Sequence, residues 1–301
     1  MTMRLATYSA GGTPAVGLVL EDGSVLDGAA AVRAAGGEPA PLADMIATIE
    51  AWDRVGPVLA KAADAPPAGA VVAKDKVRLL APIPRPRKNV FCVGRNYLDH
   101  VAEGDRAAGR ETAVPEHAQF FTKPANVVIG PGEWIPNHAG VTRALDYEVE
   151  LVVVIGKGGA DIPRERAFDH VFGYTIGNDV TGRDLQRRHG QWFKGKGLDR
   201  SCPMGPWIVV RGGVAEPPDL RISLTVNGEQ RQDSRTSRMI FDIPAILSVL
   251  SAGLTLEPGD VIMTGTPEGV GYAMTPPRLL TPGDRIAASI EGIGVLENVV
   301  R

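Results

Sequence analysis

Cysteine is almost absent from this chain, aromatic residues are scarce, and neither sign of charge dominates. Only Cys92 and Cys202 occur, one inside a mainly apolar run and one beside a proline. Without metal-ligand spacing they read as reduced packing thiols, which excludes a disulfide framework or a thiolate metal site. Lys plus Arg number 32 against 35 Asp plus Glu, a formal net charge of −3, and no run of like charge is long enough to track a phosphate backbone or coat a lipid surface. Nucleic acid and membrane are therefore not expected partners. No stretch approaches the roughly 20 apolar residues that span a bilayer, and the first residues lack the apolar segment of a signal peptide. The expectation is a cytoplasmic protein.

What is plentiful is apolar side chains, at 44% of 301 residues, together with 36 glycines and 24 prolines. The first suffices for a real core in one large or two ordinary domains, and the second favours many short strands joined by tight turns, a β-rich α+β fold. Residues 4–9 and 15–27 read as strands, with Asp22-Gly23 as a two-residue hairpin turn. Leu42, Met45, Ile46, Ile49 and Trp52 recur at helical spacing and predict a helix over 42–63. The proline-rich segment 81–87 is a connector. It puts a boundary near residue 78, between a small N-terminal α+β domain (1–78) and a larger domain (79–301). Further strands are predicted at 89–94, 148–155, 171–179, 206–211, 220–226, 229–233, 260–264 and 284–297, with Asn227-Gly228 a second hairpin turn. Helices are predicted at 97–104, 181–189 and 243–251, the last starting at Asp242 with Pro244 in its first turn.

In Asp146-Tyr-Glu-Val-Glu-Leu151, strand alternation sends Asp146, Glu148 and Glu150 to one face. A solvated edge would explain such a pattern, but the apolar continuation to Ile155 marks a buried strand, where ionised carboxylates need a partner or a cation. Asp179, at the end of another strand, supplies a further carboxylate, and an all-oxygen set suits Mg²⁺ or Mn²⁺. His100 and Glu103 lie three apart on a predicted helix, for which Asn96 is a candidate N-cap, and share a face. The polar, Gly- and Ala-rich segment that follows, to His117, has the character of a lid. Gly190–Gly197 nearly matches a phosphate-binding loop but has glycine where that loop requires Ser or Thr, which excludes nucleotide binding on this motif. In residues 265–271 the glycines suggest a loop whose backbone N–H groups approach an anionic ligand, or an ordinary strand-end loop.

Taken in order, Cys92-Val-Gly-Arg-Asn-Tyr97, His100-x-x-Glu103, Phe121-Thr-Lys-Pro124, Asp146-Tyr-Glu-Val-Glu-Leu151, Asn178-Asp-Val-Thr-Gly-Arg-Asp-Leu-Gln186, Lys196 ahead of Ser201-Cys-Pro203, and Gly265-Thr-Pro-Glu-Gly-Val-Gly271 resemble the fumarylacetoacetate hydrolase family. The resemblance spans roughly residues 88–300. It implies that family's mixed β-roll catalytic domain with a small N-terminal domain, and a homodimer. It also implies roles: Glu148, Glu150 and Asp179 as metal ligands, with Asp146 a neighbour, and Lys196 stabilising an enolate. Arg95, Gln186 and Thr266 would hold the substrate carboxylate, His100 and Glu103 would activate water, and Lys123 has no assigned role. The activity implied is hydrolysis of a carbon–carbon bond in a 2,4-dioxo acid of the acylpyruvate kind. Decarboxylation of an oxaloacetate-like acid and isomerisation of a 2-hydroxydienoate would use the same site. A catalytically idle metal-binding protein is the alternative of another class, disfavoured because it has no use for the His100–Glu103 pair.

Overall fold

A computed structural model describes residues 2–301. Its centre is the strand Val149–Ile155, buried along its whole length. The strand pairs antiparallel with Val171–Asn178 on one side and with Val261–Met263 on the other. Val149, Leu151, Val153 and Ile155 pack toward a five-stranded sheet through residues such as Ile222, Leu224, Ile286 and Leu296. Val152 and Val154 face the opposite way and join a core shared with Ile46, Ile49, Val55 and Leu59 of the N-terminal helices. Burial on both faces is the physical reason this strand reads as an unbroken apolar run.

The main sheet has twelve strands and takes in the N-terminal end of the chain, while the C-terminal hairpin belongs to the five-stranded sheet. The first strand, Arg4–Ser9, pairs with Cys202–Val210, so the N-terminal hairpins continue the same sheet. The expected boundary near residue 78 falls at Arg78–Leu79, a two-residue strand paired back onto Tyr8 and Ser9. Next to Val261–Met263 runs the parallel strand Val90–Gly94, whose C-terminal end opens the site, and then Gln119–Lys123.

Several expected elements differ in detail. The predicted helix over 42–63 is two helices, Met45–Glu50 and Trp52–Asp64. Asp44 caps the first, and the chain leaves helical angles at Ala51, after which Trp52 meets Phe172 edge-on with ring centroids 5.1 Å apart. The predicted strand over 284–297 is a hairpin, Arg285–Ile290 and Gly294–Val300, because Gly292 and Gly294 take positive φ. Strand Cys202–Val210 starts four residues earlier than the 206–211 expected. At Asp22-Gly23 only Gly23 has positive φ, and Leu20 N–H bonds Ser24 O, giving a three-residue loop in place of the two-residue turn. Asn227-Gly228, with positive φ at both residues, is the two-residue turn predicted. Both cysteines are free and buried. Among the described residues, no helix is long and apolar enough to cross a membrane.

Candidate active site

The site is built where three chain segments converge on the end of the central strand. Glu148 and Glu150 lie at its start, and Asp179 follows the last residue of its neighbour, Val171–Asn178. One oxygen from each of the three carboxylates lies within 4.8 Å of the others, and all three residues are buried. Strand alternation does bring Glu148 and Glu150 together, but it does not extend to Asp146. That residue belongs to a separate two-residue pairing with Thr181–Gly182, because the chain breaks its strand at Tyr147 and Glu148. Asp146 instead receives Gly271 N–H (2.9 Å), Tyr272 N–H (3.1 Å) and Arg183 Nε (2.9 Å).

Cations are interleaved with the carboxylates. Lys196 Nζ donates to Glu148 (2.7 Å) and Asp179 (2.6 Å), and Arg183 reaches Glu148 at 2.6 Å. Lys123, fully buried, donates to the other oxygen of Asp179 (2.7 Å), to Val180 O (3.1 Å) and to Lys196 O. Burial would raise the pKa of Glu148, but Lys196 and Arg183 outweigh it and hold that carboxyl well below its usual range. Glu150 behaves oppositely: burial first, then the charges of Asp179 and Glu148, push it well above the usual range. Burial would lower the pKa of Lys196, yet the adjoining Asp179 and Glu148 raise it, so its ammonium stays charged.

This imbalance tests whether a metal fits. Counted as ionised, four buried carboxylates (Asp146, Glu148, Glu150 and Asp179) face three buried cations (Lys123, Arg183 and Lys196). Among the described residues, no basic side chain lies within 4 Å of Glu150, whose one hydrogen bond is from Gly265 N–H (2.6 Å). A divalent cation supplies the missing charge beside Glu150, and an all-carboxylate donor set is the chemistry that Mg²⁺ and Mn²⁺ prefer. The residues fit such an ion.

Above these residues opens a cavity of about 290 Å³, lined by Glu148, Glu150, Lys196 and Arg183 together with His100, Gly104 and Arg110. Arg95, Gln186 and Thr266 also line it. Arg95 has its guanidinium bound bidentately to Asp105 (3.0 and 2.8 Å); Gln186 accepts from Arg183 (3.2 Å) and Thr266 from Gln232 (2.8 Å). Trp192 forms part of the wall over Gly94, where a Cβ would come within 2.2 Å of the indole, so any side chain there would have to displace that ring.

His100 and Glu103 sit on the helix Leu98–Ala107 with Nδ1 2.9 Å from Oε1. Glu103 lies behind His100 and is fixed by Gly269 N–H (2.9 Å), so the dyad is anchored from outside the helix. Asn96 is not the N-cap; that place falls to Tyr97, which makes no side-chain cap bond. The Asn96 amide donates instead to Phe241 O (2.9 Å) and Thr264 O (2.7 Å) and accepts from Phe241 N–H (2.7 Å), tethering the root of the helix. The glycine loop 265–271 does approach anions, but they are the protein's own: Gly265 N–H binds Glu150, Gly269 N–H binds Glu103 and Gly271 N–H binds Asp146.

Sequence reasoning missed Arg183 and Tyr272. Arg183 is 4% exposed, stacks on Tyr272 at 4.4 Å and lines the cavity, with its Nη2 buried and without a partner. The available signal was its place four residues after Asp179, at the first position of the helix Arg183–Arg188.

The fumarylacetoacetate (FAA) hydrolase C-terminal family model matches residues 89–301. The oxaloacetate tautomerase YisK of Bacillus subtilis (strain 168) is 52% identical over 226 residues, covering 75% of this chain and 74% of its own. Among solved structures, a fumarylacetoacetate hydrolase from psychrophilic Exiguobacterium antarcticum superposes with a TM-score of 0.80 at 40% identity, covering 99% of both chains. A maleylpyruvate hydrolase from Sphingobium sp. SYK-6, in complex with manganese(II) and pyruvate, does so at 0.77 and 32% identity, covering 99% of this chain and 98% of its own. Matched over that length and at those identities, this chain belongs to the fumarylacetoacetate hydrolase family.

Proposed function

We propose that the protein is a divalent-metal-dependent enzyme that shifts a proton at the carbon beside the 2-oxo group of a small oxo acid, the keto–enol chemistry of oxaloacetate. The observation that carries this is that a paired histidine, His100, and a doubly ion-paired lysine, Lys196, line one and the same cavity. Glu148, Glu150 and Asp179 would hold Mg²⁺ or Mn²⁺, which when bound would polarise the 2-oxo group and stabilise negative charge on its oxygen. Within the protein, Nε2 of His100 takes or returns the carbon-bound proton. Glu103 accepts a hydrogen bond from the Nδ1–H of the same ring and so fixes its orientation and tautomer. The Lys196 ammonium, charged and immobile, faces the developing enolate. Arg183 offers its unpartnered Nη2 to the substrate's carboxylate. The 52% identity to an oxaloacetate tautomerase supports this reaction.

Hydrolysis of a carbon–carbon bond in a 2,4-dioxo acid is the second reading. It is favoured by the His100–Glu103 pair, which would equally draw a proton from water, and by the maleylpyruvate hydrolase likeness. The test follows enol-to-keto conversion of oxaloacetate, its carbon dioxide release, and cleavage of an acylpyruvate panel with Mg²⁺ or Mn²⁺, with and without chelator. Chelator-sensitive conversion without cleavage supports the first reading. Cleavage of acylpyruvates without oxaloacetate conversion replaces it with the second.

A further inference from the structure

Part of the cavity lining is formed by Gly104, Ala107, Ala108 and Arg110, at the end of the dyad helix and just past it. Beyond the helix the chain runs irregular and largely exposed to the strand at Gln119, with no buried apolar side chain to anchor it. Between Glu111 and Ala118 its backbone is hydrogen-bonded at one residue only, Ala113, whose N–H donates to Asp105 (3.0 Å) and whose carbonyl accepts from Arg95 (2.8 Å). Asp105 is 2% exposed and shares the buried face of its helix only with Val101, and it also takes both arms of the Arg95 guanidinium and one from Arg110 (3.2 Å). Arg95 itself holds a left-handed backbone, φ 54°, between Gly94 and the tethered Asn96. A non-glycine residue keeps that conformation only where its surroundings over-determine it.

We infer that Asp105 is a positioning residue: by clasping Arg95 it holds the dyad helix and the segment to Ala113 against the cavity. Arg95 acts through this clasp and not by gripping the substrate carboxylate. The bidentate, charge-assisted geometry provides the directional hold that an exposed segment without a core lacks. The inference rests on the dyad reading above, and its test has a readout independent of turnover.

Hydrogen–deuterium exchange of residues 98–113 is compared in the Mn²⁺-loaded wild type, the near-isosteric Asp105→Asn, Arg95→Met and the double variant, alongside kcat and KM. Each single variant raises exchange across 98–113 and lowers kcat about 10- to 100-fold as His100 loses its position. The double variant is no worse than the poorer single one, the non-additivity of partners in one interaction. Unchanged exchange in Asp105→Asn overturns the clasp. So does a raised KM at constant kcat in Arg95→Met with KM equal or lower in Asp105→Asn, the signature of an arginine that binds substrate directly. If the wild type turns over no oxo acid, the functional reading fails while the exchange comparison still decides the clasp.

Discussion

Around Glu150 nearly every charged side chain is buried, paired and in contact with a strand of the central sheet, whereas the helix Leu98–Ala107 facing it is half-exposed and held mainly by polar bonds. Lys123 and Lys196 knit Asp179 and Glu148 into one block with no exposed member. The helix, by contrast, hangs from Asn96 at its root, Glu103 at its middle and Asp105 near its end. A rigid floor suits the constant part of enolate chemistry, charge stabilisation at fixed positions. A wall attached at a few points suits the variable part, deciding what is deprotonated and which substrates enter.

The comparison breaks most sharply at Glu150. Glu150→Gln removes the carboxylate that lacks a cationic partner, and turnover should fall about 10³-fold with loss of Mn²⁺ affinity in calorimetric titration. Full affinity in that variant would mean the floor holds no metal there. Lys123→Met tests whether the floor is one block, because breaking a buried pair while leaving Asp179 behind costs about 3–5 kcal/mol. Urea denaturation should show that loss, and a near-neutral result would make the lysine dispensable. On the wall, Asn96→Ala leaves the buried carbonyl of Thr264 and the part-buried backbone groups of Phe241 without their Asn96 partner, a cost of about 1–3 kcal/mol, with kcat falling and Mn²⁺ affinity unchanged.

The smallest effect is a pH dependence. The hydrogen bonds from Arg95 hold the Asp105 carboxyl down to about 2, below its unfolded value of about 3.9. A depressed folded pKa contributes stability that is present above the unfolded value and disappears as pH falls through the folded one. The stability gap between wild type and Asp105→Asn, on the order of 1–2 kcal/mol, should therefore persist above about pH 4 and close by about pH 2. A gap that does not change over that window would contradict the assignment of the charge to Asp105.

Much of this contrast was legible in the chain itself, and unevenly so. The floor could be read because its burial leaves a local signature: an apolar run interrupted by Glu148 and Glu150 is anomalous wherever it occurs. His100 and Glu103 were legible by helical spacing. What escaped depends on long-range pairing. Asn96 has the composition of an N-cap but answers to Phe241 and Thr264, far along the chain. Asp146 matches the strand alternation but is claimed by Gly271 and Tyr272. The glycine loop shows its capacity to bind anions without showing that Glu103, Asp146 and Glu150 already occupy it.

The division of labour between floor and wall is tested most directly by His100→Ala, measured for Mn²⁺ binding and for metal-dependent oxaloacetate enol-to-keto conversion in the same preparation. The account predicts wild-type Mn²⁺ affinity with kcat reduced about 10²- to 10⁴-fold, the range for loss of a general acid–base group. Wild-type turnover in that variant, or conversion by the wild type that survives complete removal of metal, would contradict it.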